Sequence, residues 1–239
     1  MPDGSRNPVD LFVEFNSSAI RRDRWFRLLQ YTSRLLVLSR PQASYQTPLR
    51  GLEAAVSDGR KLFRILNSPD TARAAWRAAF QEDAGGDACS RWLTVLGHLA
   101  KLLWLLNDHL LFLAKARVLK LEPGPLGLRS ARCWLAAFAA YILRDLRRLL
   151  LLSEPAAGSQ ALSLSLSRAS LTLLLSFSQA QQRRDYELRC VKAELRRNGL
   201  DICLPLASLG YLSPKVGAMA GVLSTLQSLR SDWARLLCD

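Results

Sequence analysis

Apolar positions recur at three- and four-residue spacing along most of the chain, the period of an amphipathic helix. Ser17 and Ser18 are N-cap residue types and predict a helix running to about Arg40. Trp25, Leu28, Leu29, Thr32, Leu35 and Leu36 form its apolar stripe, and Arg21, Arg22, Arg24, Arg27 and Arg34 its opposite face. Residues 41–48, from Pro41 to Pro48, read as a linker. The next segment, 49–66, is the most sharply two-faced in the chain. On a helical wheel, Leu49, Leu52, Ala55, Val56, Leu62, Phe63 and Leu66 share one arc. Arg50, Arg60, Lys61 and Arg64 share the other, and only Ile65 sits on the wrong side.

Asn67-Ser68-Pro69-Asp70 restarts a helix with Ala72, Ala75, Trp76, Ala79 and Phe80 in its stripe, and Gly85-Gly86 breaks it. A long helix is predicted from about Asp87 to Lys120, interrupted by Asn107, Asp108 and His109. Pro123-Gly124-Pro125 reads as a turn. A helix over about 128–152 then carries an uncharged core from Cys133 to Leu143, followed at once by Arg144, Arg147 and Arg148. Residues 153–160 read as a loop, and 162–167 alternate Leu and Ser. Gln179 to Arg197 reads as a charged helix ending at Asn198-Gly199. Ser213-Pro214 opens a last apolar helix over 215–229, in which Gly217 and Gly221 form a G-x-x-x-G pattern suited to close helix pairing or to packing on a neighbouring helix.

Composition sharpens this all-helical picture. Leucine occurs 50 times in 239 residues while Ile and Val together occur 13 times, which favours helix over strand. The net charge is +13 although 49% of residues are hydrophobic. That much apolar surface excludes a disordered chain. A net charge of +7 falls within residues 17–66, whereas the long uncharged runs lie after residue 130. The longest, 169–182 and 216–229, are 14 residues each, against the roughly 20 that a spanning helix needs. Tolerating one cation, Arg168 or Lys215, lengthens each by 13 residues, so both are membrane-embedded candidates and these cations the only ionisable groups inside them. The reading is an all-α, membrane-associated protein with amphipathic helices and one to three hydrophobic membrane-embedded helices. It forms one domain over 1–239, with an amphipathic cytosol-facing half (1–122) and a more hydrophobic half (123–239).

Enzyme chemistry has no visible carrier. There is no phosphate loop, G-x-G-x-x-G, G-x-S-x-G or H-E-x-x-H motif. His98 and His109 are too few for a metal site, and the five cysteines have no C-x-x-C spacing, so no metal or cofactor is expected and the thiols are expected reduced. Met1-Pro2-Asp3-Gly4-Ser5-Arg6 lacks an apolar h-region, so no secretory signal is expected. No recognition motif interleaves bases with aromatics, so no nucleic-acid partner is expected. Segment 49–66 can be an ordinary surface helix packed on a core. It can also lie in a membrane interface, with its leucines and Phe63 in the acyl region and its cations on anionic headgroups.

Four blocks carry a family resemblance. They are Arg22-Asp23-Arg24 through Gln30-Tyr31 to Leu35-Leu36; Gly59-Arg60-Lys61-Leu62-Phe63-Arg64-Ile65-Leu66-Asn67-Ser68; Thr94-Val95-Leu96-Gly97-His98-Leu99-Ala100 on to Asp108-His109 and Ala116-Arg117-Val118-Leu119; and Arg197-Asn198-Gly199-Leu200-Asp201 with the helix from 215. In that order the chain resembles the peroxin-11 family of peroxisomal membrane proteins, most closely its gamma type. The resemblance implies peroxisome elongation and division without enzymatic activity, with both termini in the cytosol. It implies self-association, also with paralogues, and recruitment of a dynamin-related GTPase and its membrane adaptor. It also leaves open a pore or carrier for small metabolites; a soluble helical adaptor is the alternative outside the membrane. In the membrane-shaping reading, Leu49, Leu52, Val56, Leu62, Phe63 and Leu66 insert into the leaflet. Arg50, Arg60, Lys61 and Arg64 hold anionic phospholipid, and Gly217 and Gly221 pack helix on helix.

Overall fold

The computed structural model describes residues 7–40, 44–64, 67–80, 87–153 and 171–238, and these contain helices and no strand. In chain order they are α1 (Pro8–Ser17), α2 (Ala19–Ser39), α3 (Gln46–Arg64), α4 (Asn67–Phe80), α5 (Ala88–Lys115), α6 (Pro123–Ser153), α7 (Leu171–Asp201), α8 (Cys203–Ser208) and α9 (Pro214–Cys238). The loop predicted at 153–160 and the Leu–Ser alternation at 162–167 lie, beyond Ser153, outside the described residues, as do Leu66, Gly85-Gly86 and Arg168.

Several boundaries differ from the pattern reading. Helix α1 precedes the predicted start, because the Asn7 side chain accepts from the Val9 N–H and Pro8 occupies the first turn. Ser18 sits at the N-cap of α2 with extended backbone but makes no side-chain capping bond. The polar triplet Asn107-Asp108-His109 does not interrupt α5, which ends at Lys115, with Arg117 left-handed at φ 59° just beyond. Pro123-Gly124-Pro125 forms the first turn of α6 rather than a separate turn, since a helix start has no use for the missing proline N–H. Asn198-Gly199 does not end α7. The Asn198 side chain donates instead to Asp145 of α6 at 2.8 Å, and the helix continues to Asp201. Helix α9 likewise runs past 229, through Arg230, Asp232 and Arg235.

Helices from both halves of the chain interleave. The α5–α6 pair forms the centre, flanked by α4 on α5 and by α7 on α6. Helix α2 lies between α3 and α9, and α9 also contacts α7 and α8. Small residues make the closest approaches. A Cβ on Gly97 would stand 2.4 Å from the Tyr141 ring, and one on Gly221 would stand 2.6 Å from Tyr31. One apolar cluster joins α1 to α9, where Phe15, Leu229 and Leu236 are buried with Trp233 against them.

Beside an apolar core the bundle also buries charged and polar side chains, and it leaves many large apolar ones outside. Arg60, Lys61, Asp108, Asp145, Asp201 and Thr225 are buried. On α5, Trp92, Leu96, Leu99, Leu103, Leu106 and Leu110 form an exposed stripe along most of the helix, and on α9 Val216, Met219, Leu223 and Leu226 form a shorter one. The expectation of membrane-embedded helices is narrowed accordingly. Among the described residues no helix is long and apolar enough to cross a membrane. Charges interrupt each run: Arg144, Asp145, Arg147 and Arg148 in α6, and Lys215 and then Arg230 in α9.

Candidate functional site

The amphipathic segment read from 49–66 lies, as far as Arg64, in α3, and the structure fixes which way that part faces. Leu62 is 54% exposed and Phe63 51%; Leu52 is exposed as well, and Leu49 and Val56 are partly covered. Phe63 stacks on Phe26 of α2, with ring centroids 5.7 Å apart and planes 13° from parallel. Trp25, Leu29 and Leu36 are exposed on α2 as well. The apolar arcs of the two helices therefore meet at the Phe26–Phe63 stack and form one outward surface.

The cationic arc of α3 turns inward. Arg60 is only 7% exposed and donates to both carboxylate oxygens of Asp23, at 2.9 and 3.1 Å, and to the Gln30 side chain at 2.7 Å. Lys61, 6% exposed, donates to Asp58 at 2.6 Å, and Lys115 of α5 reaches the same oxygen at 3.1 Å. Arg64 pairs with Asp108 of α5 at 3.2 Å, its guanidinium 5.2 Å from the Trp104 ring. Arg50 remains at the surface, bonded to Gln46. The wheel assigns all four cations to lipid headgroups; in the fold, three of them tie α3 to α2 and α5 or to their own helix.

Burial and pairing oppose each other here. Burial lowers the Lys61 ammonium below the ordinary lysine range, and Asp58 only partly offsets it. Burial alone would raise the Asp58 carboxyl, but its bonds from Lys61 and Lys115 bring it below the ordinary carboxylate range. Burial lowers the Arg64 guanidinium, against the pull of Asp108. Arg27 of α2 pairs with Asp201 of α7; burial lowers its guanidinium, and Asp201 together with Tyr31 and Asp23 more than offsets that.

The small-residue pair on α9 serves contacts within the chain. Gly217 faces Ala207 of α8, where an added Cβ would come within 2.6 Å, and Gly221 faces the Tyr31 ring. Lys215 is exposed at the start of α9 rather than inside a span. His98 accepts or donates at 3.0 Å to the Tyr141 hydroxyl, and no group of three metal-ligating side chains occurs among the described residues. Lys101 and Arg197, which pattern reasoning passes over, enter a cavity among the helices. Lys101 has no cation within a helical turn and Arg197 is one of several on a charged helix, so no local spacing singles either out.

The family model described as Peroxisomal biogenesis factor 11 matches residues 9–233. Peroxisomal membrane protein 11B of Homo sapiens is 31% identical over 151 residues, 61% of this chain and 57% of that protein. The matched segment thus spans less than two thirds of that relative. Peroxisomal membrane protein 11A of Homo sapiens is 26% identical over 243 residues, 92% of this chain and 95% of that protein. No solved structure matches.

Proposed function

Because the chain belongs to the peroxisomal biogenesis factor 11 family, it is a peroxisomal membrane protein and not an enzyme, and we propose that it elongates that membrane by shallow insertion of α3. The carrying observation is the outward apolar surface of α3 and α2 laid over a charged interior. Had α3 been an ordinary surface helix, Leu62 and Phe63 would be its core-facing residues; they are instead its exposed ones. Leu49, Leu52, Val56, Leu62 and Phe63, continued by Leu66, enter the cytosolic leaflet, and Arg50 beside them meets headgroup phosphates. Arg60, Lys61 and Arg64 reach headgroups only on release from Asp23, Asp58 and Asp108.

The finer reading follows the resemblance. The protein is of the gamma type, associates with itself and with paralogues, and recruits a dynamin-related GTPase and its membrane adaptor, with both termini in the cytosol. Self-association concentrates the wedges, and the exposed stripe of α5 offers additional apolar surface for the bilayer or a second copy. The test is vesicle remodelling by the full chain on anionic liposomes. Replacing Leu62 and Phe63 by Asn should abolish tubulation while the helical circular-dichroism signal stays. Tubulation equal to wild type by a folded Leu62→Asn/Phe63→Asn variant would overturn the wedge.

A further inference from the structure

A cavity of about 500 Å³ lies among the helices, bordered mainly by α2, α3, α5, α6 and α7. That volume lies within the range of small-ligand sites. Eight cations and three carboxylates line it. Six of the cations have carboxylate partners: the four pairs described above, Arg24 with Asp232, and Arg34 with Glu53. Lys101 of α5 and Arg197 of α7 are left over. Among the described residues, no carboxylate lies within ion-pair distance of either.

Arg197 bears on the cations around it. Burial lowers the Lys101 ammonium below the ordinary lysine range, and Arg197 lowers it further. Burial brings Arg24 down to about 10, with Arg197 the next contributor. Like charges gathered in a half-dry space repel one another more strongly than in water, and an anion placed between them relieves that repulsion. Beside them, Trp104 and Trp134 stack with centroids 5.2 Å apart and give the cavity a flat apolar wall. The Arg34 side chain, also on the cavity wall, is 37% exposed, so the cavity reaches solvent.

We propose that this cavity binds a phosphate-bearing ligand with at least two negative charges, held by Lys101 and Arg197 with Arg24 beside them. The two uncompensated cations set the charge of the ligand. An arginine fork and a lysine point charge match phosphate oxygens. The volume admits a phosphorylated headgroup or a soluble phosphate ester, and the two share this chemistry.

Calorimetric titration of the full chain in detergent micelles with inorganic pyrophosphate tests the site. Wild type should bind saturably, and Lys101→Gln or Arg197→Gln should each weaken binding about tenfold. Neither substitution should lower the melting temperature of the ligand-free protein, because each removes a repelled charge rather than an ion pair. Flotation with phosphatidylcholine vesicles carrying phosphatidylinositol bisphosphate supplies the second arm. Flotation that pyrophosphate competes away and Lys101→Gln reduces identifies a lipid headgroup. Pyrophosphate binding without such flotation identifies a soluble ester. Absence of saturable binding in both arms, or undiminished binding by a Lys101→Gln/Arg197→Gln double variant, overturns the proposal. The wedge reading stands or falls separately, since Leu62→Asn/Phe63→Asn should leave pyrophosphate binding unchanged.

Discussion

Replacing Arg60 by Met should destabilise the fold rather than only weaken its hold on lipid. The guanidinium is buried and makes two bonds to Asp23 and one to Gln30. Removing one partner of a buried ion pair leaves the other charge uncompensated, which costs about 3–5 kcal/mol. The Asp23 side chain keeps 23% of its exposure, so water relieves part of that penalty and the lower end, about 3 kcal/mol, applies. Asp23→Asn should cost less, about 1–2 kcal/mol, since the amide oxygen still accepts from Arg60. In Arg60→Met/Asp23→Asn no charge is stranded, so the loss should fall short of the sum of the singles by about 1–2 kcal/mol. Guanidinium unfolding of the detergent-solubilised chain, followed by circular dichroism, gives all four corners of the cycle. Additive losses would refute the pairing. So would an Arg60→Met variant of full stability that nevertheless fails to bind anionic vesicles, because its guanidinium would then belong to the lipid surface. The same geometry makes charge reversal a poor probe of lipid binding here: a glutamate at position 60 or 64 would face Asp23 or Asp108 and unfold the helix it was meant to test.

On the outer face, Leu62 and Phe63 are each about half exposed, so Leu62→Asn/Phe63→Asn should weaken partitioning to anionic vesicles by about 2 kcal/mol, roughly thirtyfold, in a sedimentation assay. Unchanged partitioning would mean the face does not enter lipid. Gly221→Ala drives a methyl into the Tyr31 ring, three of whose carbons would lie within 3.0 Å, and should cost about 1–3 kcal/mol in the unfolding assay. Tyr31→Leu should recover part of that loss, and a neutral Gly221→Ala would show that α9 and α2 do not approach as described. Burial, aided by Lys101 and Arg144, holds His98 below the ordinary histidine range. The unfolded chain therefore takes up a proton first as the pH falls. The stability that His98 contributes is complete above about pH 6.5 and is lost as the pH drops towards the folded value. His98→Gln should flatten the melting-temperature profile over that interval, and an unchanged profile would assign the slope to other groups.

How much of this was legible in the chain depends on what spacing encodes. Periodicity finds two faces and not the inside. The arcs of α2 and α3 were readable, as was the break at Asn67, because each depends on residues within two turns. Which arc points inward depends on Asp23, Asp108 and Asp201, and these lie 37, 44 and 174 residues from their partners Arg60, Arg64 and Arg27. No local window contains both members of such a pair. Prolines misled in one place: Pro123 and Pro125 read as a turn, although proline is equally at home in the first turn of a helix, where α6 places them. Asn198-Gly199 read as a helix end because its partner Asp145 is remote. The cavity was invisible for a similar reason, since Lys101 and Arg197 are ordinary surface residue types until α5 and α7 come together.

The inward pairing also changes what the membrane feels. A peptide covering 46–68 lacks Asp23, Asp108 and Lys115, so its Arg60 and Arg64 are free and three or four cations can reach anionic headgroups, at about 1 kcal/mol each. In the folded chain those cations are neutralised by carboxylates, and Arg50 is the cation of the original set left at the surface. Membrane binding by the peptide should therefore fall steeply as salt is raised, whereas binding by the full chain should rest mainly on apolar area and change little. Comparing vesicle partitioning of the two across a salt series separates the cases. Equal salt slopes would mean that α3 leaves Asp23 and Asp108 when it meets the bilayer. A shallow slope for the full chain means the wedge arrives already fixed in pitch, held by Arg60 to α2 and by Arg64 to α5. Insertion of Leu62 and Phe63 then carries the whole bundle with it, and the leaflet is bent by a rigid body rather than by a helix folding on its surface.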